Sequence, residues 1–248
     1  MAIIQFALSL IVLGIIYTRA IRREAPEPIA KAQALVPVVL GAVSTLLSFA
    51  IFFGIGLLLQ KIGFSSKNLP DFLRSVIASF ILAGLPEELA KLLMMLITLL
   101  IFRSRVRNVY EYMLIGAAVG FGFTLLEEFF YGSGSGVSAI ARLITIAGHM
   151  VFGVIMAKHL GLAKYSKTNG GGSAAGEYAK ALIIPILMHT LFDAGTANNY
   201  MLNSSDESAA AIGLVIGIAC TVFLFVIQIA VLIKWKKNAE KYCGMALT

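Results

Sequence analysis

The sequence predicts an all-α, polytopic transmembrane bundle of about seven spans. Three observations predict it. Apolar residues make up 59% of the 248 positions and fall in long continuous runs, not in alternating or short amphipathic segments. Charged residues make up only 13%, about half the share of a soluble domain. Lys and Arg collect in every second connection between the runs, the pattern that sets membrane topology.

The apolar runs cover roughly 2–18, 34–59, 72–102, 109–131, 138–161, 179–196 and 208–234. A helix that crosses the hydrocarbon layer needs about 20 apolar residues. The first run has no basic residues before it and no persuasive cleavage site after it, so it reads as a retained span and not as a signal peptide. The third is too long for one straight helix. Pro86 lies in its middle and predicts a kink there, or a short helix packed against a second one. The stretch 164–178, with Asn169, Gly170, Gly171, Gly172 and Ser173, predicts a flexible linker. Everything fits one integral membrane domain over 1–248, and no internal repeat is evident.

Fifteen of the 20 basic residues lie on one side. They are Arg19, Arg22, Arg23 and Lys31 after the first run, then Arg103, Arg105 and Arg107 after the third. Lys158, Lys164, Lys167 and Lys180 surround the end of the fifth, and Lys234, Lys236, Lys237 and Lys241 close the last. The positive-inside rule then puts the N-terminus out and the C-terminus in. It also accounts for the net charge of +7 without nucleic acid as a partner. The bilayer is the partner, and the expected location is the cell membrane, multi-pass, of a prokaryote. Cys220 and Cys243 form no disulfide framework and read as plain thiols.

Nine of the ionisable residues inside these runs stand out: Glu87, Glu88, Lys91, Glu127, Glu128, Arg142, His149, His189 and Asp193. Each costs about 2.5–3.5 kcal/mol to insert, so their presence points to a use. Glu87 and Lys91, four apart, share a helical face and can pair; a plain ion pair at the kink would explain them, but not the second carboxylate. In an antiparallel hairpin Arg142 should meet Glu127 or Glu128 at equal depth. Arg142 and His149, seven apart, share a face if one helix carries both. His189 and Asp193 are one turn apart, so the carboxylate can orient the ring; a polar clamp between helices is the plainer explanation. Together the residues supply a carboxylate base, an imidazole to share a proton and donors for an oxyanion. They also suffice for zinc on ligands drawn from Glu87, Glu88, His149 and His189, although no HExxH motif is present and no cofactor is certain.

The motifs PEELAK, GFGFTLLEEFFY, GHMVFG and HTLFDAG follow one another in successive runs over about 70–196. In that order they resemble the PrsW family, part of the wider group that contains the CAAX prenyl endopeptidases and bacteriocin-processing enzymes. The resemblance implies an intramembrane endopeptidase, glutamate-dependent or metal-dependent. It implies that Glu87 and Glu88 supply the general base, that His149 helps to activate water, and that His189 and Asp193 hold the oxyanion or orient the substrate. Glu127 matches a glutamate of that branch. Glu128 stands where the branch often has Asn, and Thr145 stands where a Phe is usual. The implied substrate is a single-pass membrane protein such as an anti-sigma factor, cut in a first, site-1-type step. The family favours Glu87 as base, whereas a Glu87–Lys91 pair would leave Glu88 free. Two other functions use such residues: a non-catalytic membrane scaffold or chaperone, and a proton-coupled transporter.

Overall fold

With no water in hydrocarbon to satisfy N–H and C=O groups, a spanning chain has to close its hydrogen bonds within helices. The computed structural model, which describes residues 2–24, 29–131 and 137–247, follows that rule and contains no strand among them. The helices are α1 (Ala2–Ile21), α2 (Lys31–Lys61), α3 (Asp71–Ser79), α4 (Leu85–Ile101), α5 (Val109–Tyr131), α6 (Val137–Ile144), α7 (Gly148–Asn169), α8 (Ala174–Gly195), α9 (Glu207–Lys237) and the short α10 (Ala239–Cys243). By length and composition, four of them are able to cross a membrane: α1, α2, α5 and α9. This is an all-α membrane bundle.

Helix α5 is its centre. Of its spanning residues 78% are buried, against 28% in α1, 22% in α2 and 17% in α9. It packs against α7 on one side and α2 on the other, with α1 beside them. The core around it joins Leu13, Met113, Leu114, Ala117, Ala118, Met150 and Val154. The α5–α7 crossing is close because two glycines face each other: a Cβ on Gly116 would meet the Gly153 carbonyl and the Ala157 side chain, and one on Gly153 would meet the Gly116 carbonyl. Small residues give this approach in membrane bundles. It matters here because α5 and α7 bring Glu127 and His149 together.

Three expectations gain detail or need correction. The third run is divided, as the proline suggests, into a short helix and a second one: a π segment over Phe80–Gly84 joins α3 to α4 without interrupting the helical backbone, and Pro86 sits in the first turn of α4. Proline lacks an N–H and its ring crowds the carbonyl four residues back, so the irregularity falls upstream of it. The fifth run is not one span. It stops at Ile144 and restarts at Gly148, and the side chain of Gln228 on α9 spans the gap: its Oε1 accepts from the Ala147 N–H at 3.2 Å and its Nε2 donates to the Ile144 carbonyl at 2.9 Å. The linker over 164–178 shrinks to 170–173, since 164–169 end α7 and 174–178 begin α8. Gly170, Gly171 and Gly172 all have φ near +80°, the left-handed region that glycine enters without a Cβ penalty.

At the end of the bundle rich in Lys and Arg, the chain following α10 pairs with the α4–α5 connection: Val109 N–H donates to Met245 O and Leu247 N–H to Arg107 O. Beneath it the Glu24 side chain is fully enclosed, accepting from Asn108 Nδ2 at 2.7 Å with Arg107 Nη2 at 3.6 Å. Arg107 is shared with Glu111, at 2.6 Å. Burial pushes the Glu24 carboxyl up to about 7; the Asn108 donor opposes the rise and the nearby Glu111 charge adds to it.

Two outcomes follow for stability. Gly116→Leu places a side chain against backbone that cannot move aside and should cost at least the ~1–3 kcal/mol of ordinary overpacking; fluorescence-detected size exclusion should show loss of the monodisperse peak. The unfolded chain releases the Glu24 proton near 4.5 and the folded chain near 7, so stability should fall as pH rises through that window. Glu24→Gln should flatten the slope of Tm against pH; an unchanged slope would exonerate Glu24.

Candidate active site

The intramembrane charges converge from five helices. Glu87, Glu88 and Lys91 come from α4, just after the π turn. Glu127 and Glu128 lie near the end of α5, Arg142 on α6, His149 in the first turn of α7, and His189 and Asp193 near the end of α8.

Seven of these residues form one connected network. Arg142 Nη1 donates to Glu127 Oε1 at 3.2 Å, while Nη2 donates to Glu128 Oε1 at 2.9 Å. The expected contact of Arg142 with the Glu127–Glu128 pair is therefore present. Glu127 Oε2 lies 2.7 Å from His149 Nε2. His149 Nδ1 lies 2.9 Å from Lys91 Nζ, and Lys91 donates to Glu88 Oε1 at 2.6 Å. Glu88 Oε1 also faces His189 Nδ1 at 2.8 Å. An ammonium only donates. Lys91 therefore makes Nδ1 of His149 the acceptor, which leaves the ring proton on Nε2, directed at Glu127. By the same reasoning Nδ1 of His189 donates to Glu88.

This arrangement reverses one expectation. Lys91 pairs with Glu88, one turn before it at i−3, and not with Glu87. Both spacings place carboxylates on Lys91's side of the helix; His189, 101 residues away, decides between them by adding a second donor to Glu88. Glu87 is the carboxylate left over. It makes no hydrogen bond among the described residues, its buried Oε2 is without a partner, and it stands 3.7 Å from His189 Nε2. Asp193 stands 3.5 Å from the same nitrogen. Arg142 and His149 do not share a face of one helix, because the α6–α7 break separates them; they meet through Glu127 instead.

Two cavities reach the cluster. One, of about 220 Å³, is lined by Thr45, Ser48, Phe49, Phe52, Leu82, Phe123, Glu87 and Glu127. A single water needs only ~10–15 Å³ by the same measure. The other, of about 40 Å³, lies on the far side of Glu127 against Arg142, His149, His189 and Asp193. The aromatic walls carry no signal legible in the sequence. Phe123 lies with its ring centre 4.3 Å from Lys91 Nζ, and the Phe152 ring is 5.4 Å from that of His189. Thr45 and Ser48, a turn apart on α2, were equally silent, as was Gln228.

The donor set fits a metal. Glu87, His149 and His189 each bring a ligand atom within 4.8 Å of the others, and two His with one Glu is a zinc set. His189 holds a carboxylate, Glu88, on Nδ1 and leaves Nε2 for a ligand, as metal-binding histidines do; both nitrogens of His149 are engaged, by Lys91 and Glu127, so a metal there would displace Lys91 from Nδ1. Glu88 itself is committed to Lys91 and His189 and falls outside the set.

Residues 29–232 match the model of the PrsW family intramembrane metalloproteases. Protease PrsW of Halalkalibacterium halodurans is 30% identical over 125 residues, 50% of this chain and 56% of that one. Protease PrsW of Bacillus subtilis is 29% identical over 121 residues, 48% of this chain and 54% of that one. The chain thus spans about half the length of each of these relatives. No solved structure matches it significantly.

Lys91 and Glu88 are wholly buried. Lys91→Met strands the Glu88 carboxylate and should destabilise by about 3–5 kcal/mol, whereas the double change Glu88→Leu with Lys91→Met should recover most of that loss. Thermal unfolding of the three variants in detergent measures both terms; strict additivity would mean that the pair is not coupled.

Proposed function

The chain belongs to the PrsW family of intramembrane metalloproteases, and from that premise we propose that it is an endopeptidase that hydrolyses a peptide bond in or near a membrane-spanning substrate. The observation that carries the proposal is Glu87: a half-buried carboxylate whose enclosed Oε2 makes no hydrogen bond, next to an imidazole and lining a cavity with room for water.

A water in that cavity gives its proton to Glu87 as its oxygen attacks the substrate carbonyl. Glu87 returns the proton to the amide nitrogen as the C–N bond breaks, leaving a carboxylate and an amine. His189, as an imidazolium, donates through Nδ1 to Glu88 and presents Nε2–H to the reacting side, where Asp193 steadies it and where it stabilises the developing oxyanion. His149 is fixed between Lys91 and Glu127, and Arg142 holds Glu127 in turn. Glu88 acts as a positioning residue, since Lys91 and His189 both hold its Oε1. In the metal-dependent form of the reaction Glu87, His149 and His189 would hold a divalent metal such as zinc, which would supply Lewis acidity and a more acidic water in place of Glu87 as base. The family description as metalloproteases supports this metal-dependent form.

The substrate follows from the setting. A site enclosed among helices of a membrane bundle reaches segments that lie in the bilayer and unwind locally, which supports a single-pass membrane protein. An anti-sigma factor cut in a first, site-1-type step is the specific substrate class we propose, at the plasma membrane of a bacterium.

The test is cleavage of a panel of single-pass substrates by protein reconstituted in liposomes. Glu87→Gln should lower the rate at least ~100-fold, the usual contribution of a general base. His149→Ala and His189→Ala should also lose activity, and metal analysis of all three variants should show depleted zinc if they are ligands. Glu88→Gln should retain more activity than Glu87→Gln. Wild-type rates in Glu87→Gln would sink the proposal.

A further inference from the structure

A separate cavity of about 510 Å³ lies at the other end of the bundle. Its walls are Leu96, Leu99 and Leu100 of α4, Val106 of the α4–α5 connection, Tyr112 at the start of α5, and Leu247 of the paired tail, with Arg103 and Lys164 beside them. We propose that this cavity binds the headgroup and upper chains of an acidic phospholipid.

The chemistry of the lining carries the proposal. Arg103, in the turn after α4, and Lys164, on α7, line one opening, and neither pairs with a carboxylate among the described residues. Among the described residues no acidic side chain lines the cavity. The carboxylate nearest in sequence, Glu111, is already taken by Arg107 and by Gln33, at 3.3 Å. The Tyr112 hydroxyl makes no hydrogen bond among the described residues and is a ready donor to a phosphate oxygen. The lower walls are apolar, and the apolar surface continues from there towards the middle of the membrane. Leu93, Leu96 and Leu100 are 45%, 41% and 70% exposed. Their three- and four-residue spacings put them on one face of α4, a track along which acyl chains lie. A soluble anion uses the cations and wastes this track; a zwitterionic lipid uses the track and brings its own ammonium against the cations. An acidic phospholipid satisfies both.

The location agrees. Arg103, Arg105, Arg107, Lys164 and Lys167 mark the end of the bundle that the positive-inside rule places in the cytoplasm. Anionic lipids enrich that leaflet, and basic pockets between helices on that side hold their headgroups. Because Leu247 belongs to the strand-like tail that pairs with Arg107 and Val109, a lipid seated there also braces the tail against α4.

The experiment is lipid retention by native mass spectrometry, on full-length protein delipidated in detergent and then offered phosphatidylglycerol or phosphatidylcholine. Wild type should retain phosphatidylglycerol in preference. The double variant Arg103→Gln with Lys164→Gln should lose that preference roughly tenfold. Lys61→Gln with Lys67→Gln, an equal loss of charge at the opposite end, should keep it. Leu96→Trp crowds the apolar wall without changing charge and should also weaken retention, so the idea remains testable if the charge variant misfolds. Equal retention of the two lipids by wild type, or an unchanged preference in both cavity variants, would overturn it. Displacement of the lipid by millimolar inorganic phosphate would overturn it too, by marking a simple anion site.

Discussion

Every charge that this bundle buries must find a partner inside it, and that constraint shapes the rest. A lone ion in a low-dielectric interior is prohibitive, and a pair is tolerable only when its remaining hydrogen-bonding positions are filled. The run from Arg142 through Glu127, His149, Lys91 and Glu88 to His189 gives each charge a partner link by link, leaving only Arg142 Nε and Glu88 Oε2 along it without a hydrogen bond among the described residues. Because the links come from five helices, the packing of those helices is fixed by the same contacts that assemble the site. The Gly116–Gly153 approach then reads as the means by which α5 and α7 come near enough for Glu127 to reach His149.

The network is unbalanced in a way that bears on chemistry. It holds five carboxylates, those of Glu87, Glu88, Glu127, Glu128 and Asp193, and two permanent cations, Lys91 and Arg142. Even with both imidazoles protonated, one carboxylate has no cation of its own. The geometry places that deficit at Glu87, the one glutamate of the cluster without a hydrogen bond. A site short of one positive charge, beside a cavity, is built to take up a proton or a metal ion. Water activation needs one or the other, so the proton-accepting and metal-binding forms of the proposed mechanism share a single electrostatic cause.

What the sequence made legible follows from what is local. Apolar runs gave the helical class, and charged residues inside them gave the site, since neither depends on contacts distant in the chain. The Arg142 contact was legible because two consecutive antiparallel helices fix depth. The choice between Glu87 and Glu88 was not. Helical spacing allows Lys91 to reach either, and the deciding donor, His189, is 101 residues downstream. The interruption of the fifth run was hidden for the same reason: residues 145–147 contain no proline, and the group that makes a break affordable, Gln228, lies on another helix. The polar end cluster of Glu24, Arg107 and Glu111 sat in what read as plain topological charge.

That break has a consequence for the site. In a continuous helix Arg142 and His149 would be about 10.5 Å apart along the axis, both on one side. Instead α6 ends, the chain turns through Thr145–Ala147, and α7 begins with His149 in its first turn. Arg142 and His149 then approach the two oxygens of one carboxylate, Oε1 and Oε2 of Glu127. A freed N–H and a freed C=O are the cost of such a turn within a membrane bundle, and both are satisfied by one amide side chain on α9. Helix α9 lies apart from the charged chain, yet through Gln228 it holds the geometry that lets a single glutamate orient the histidine and anchor the arginine.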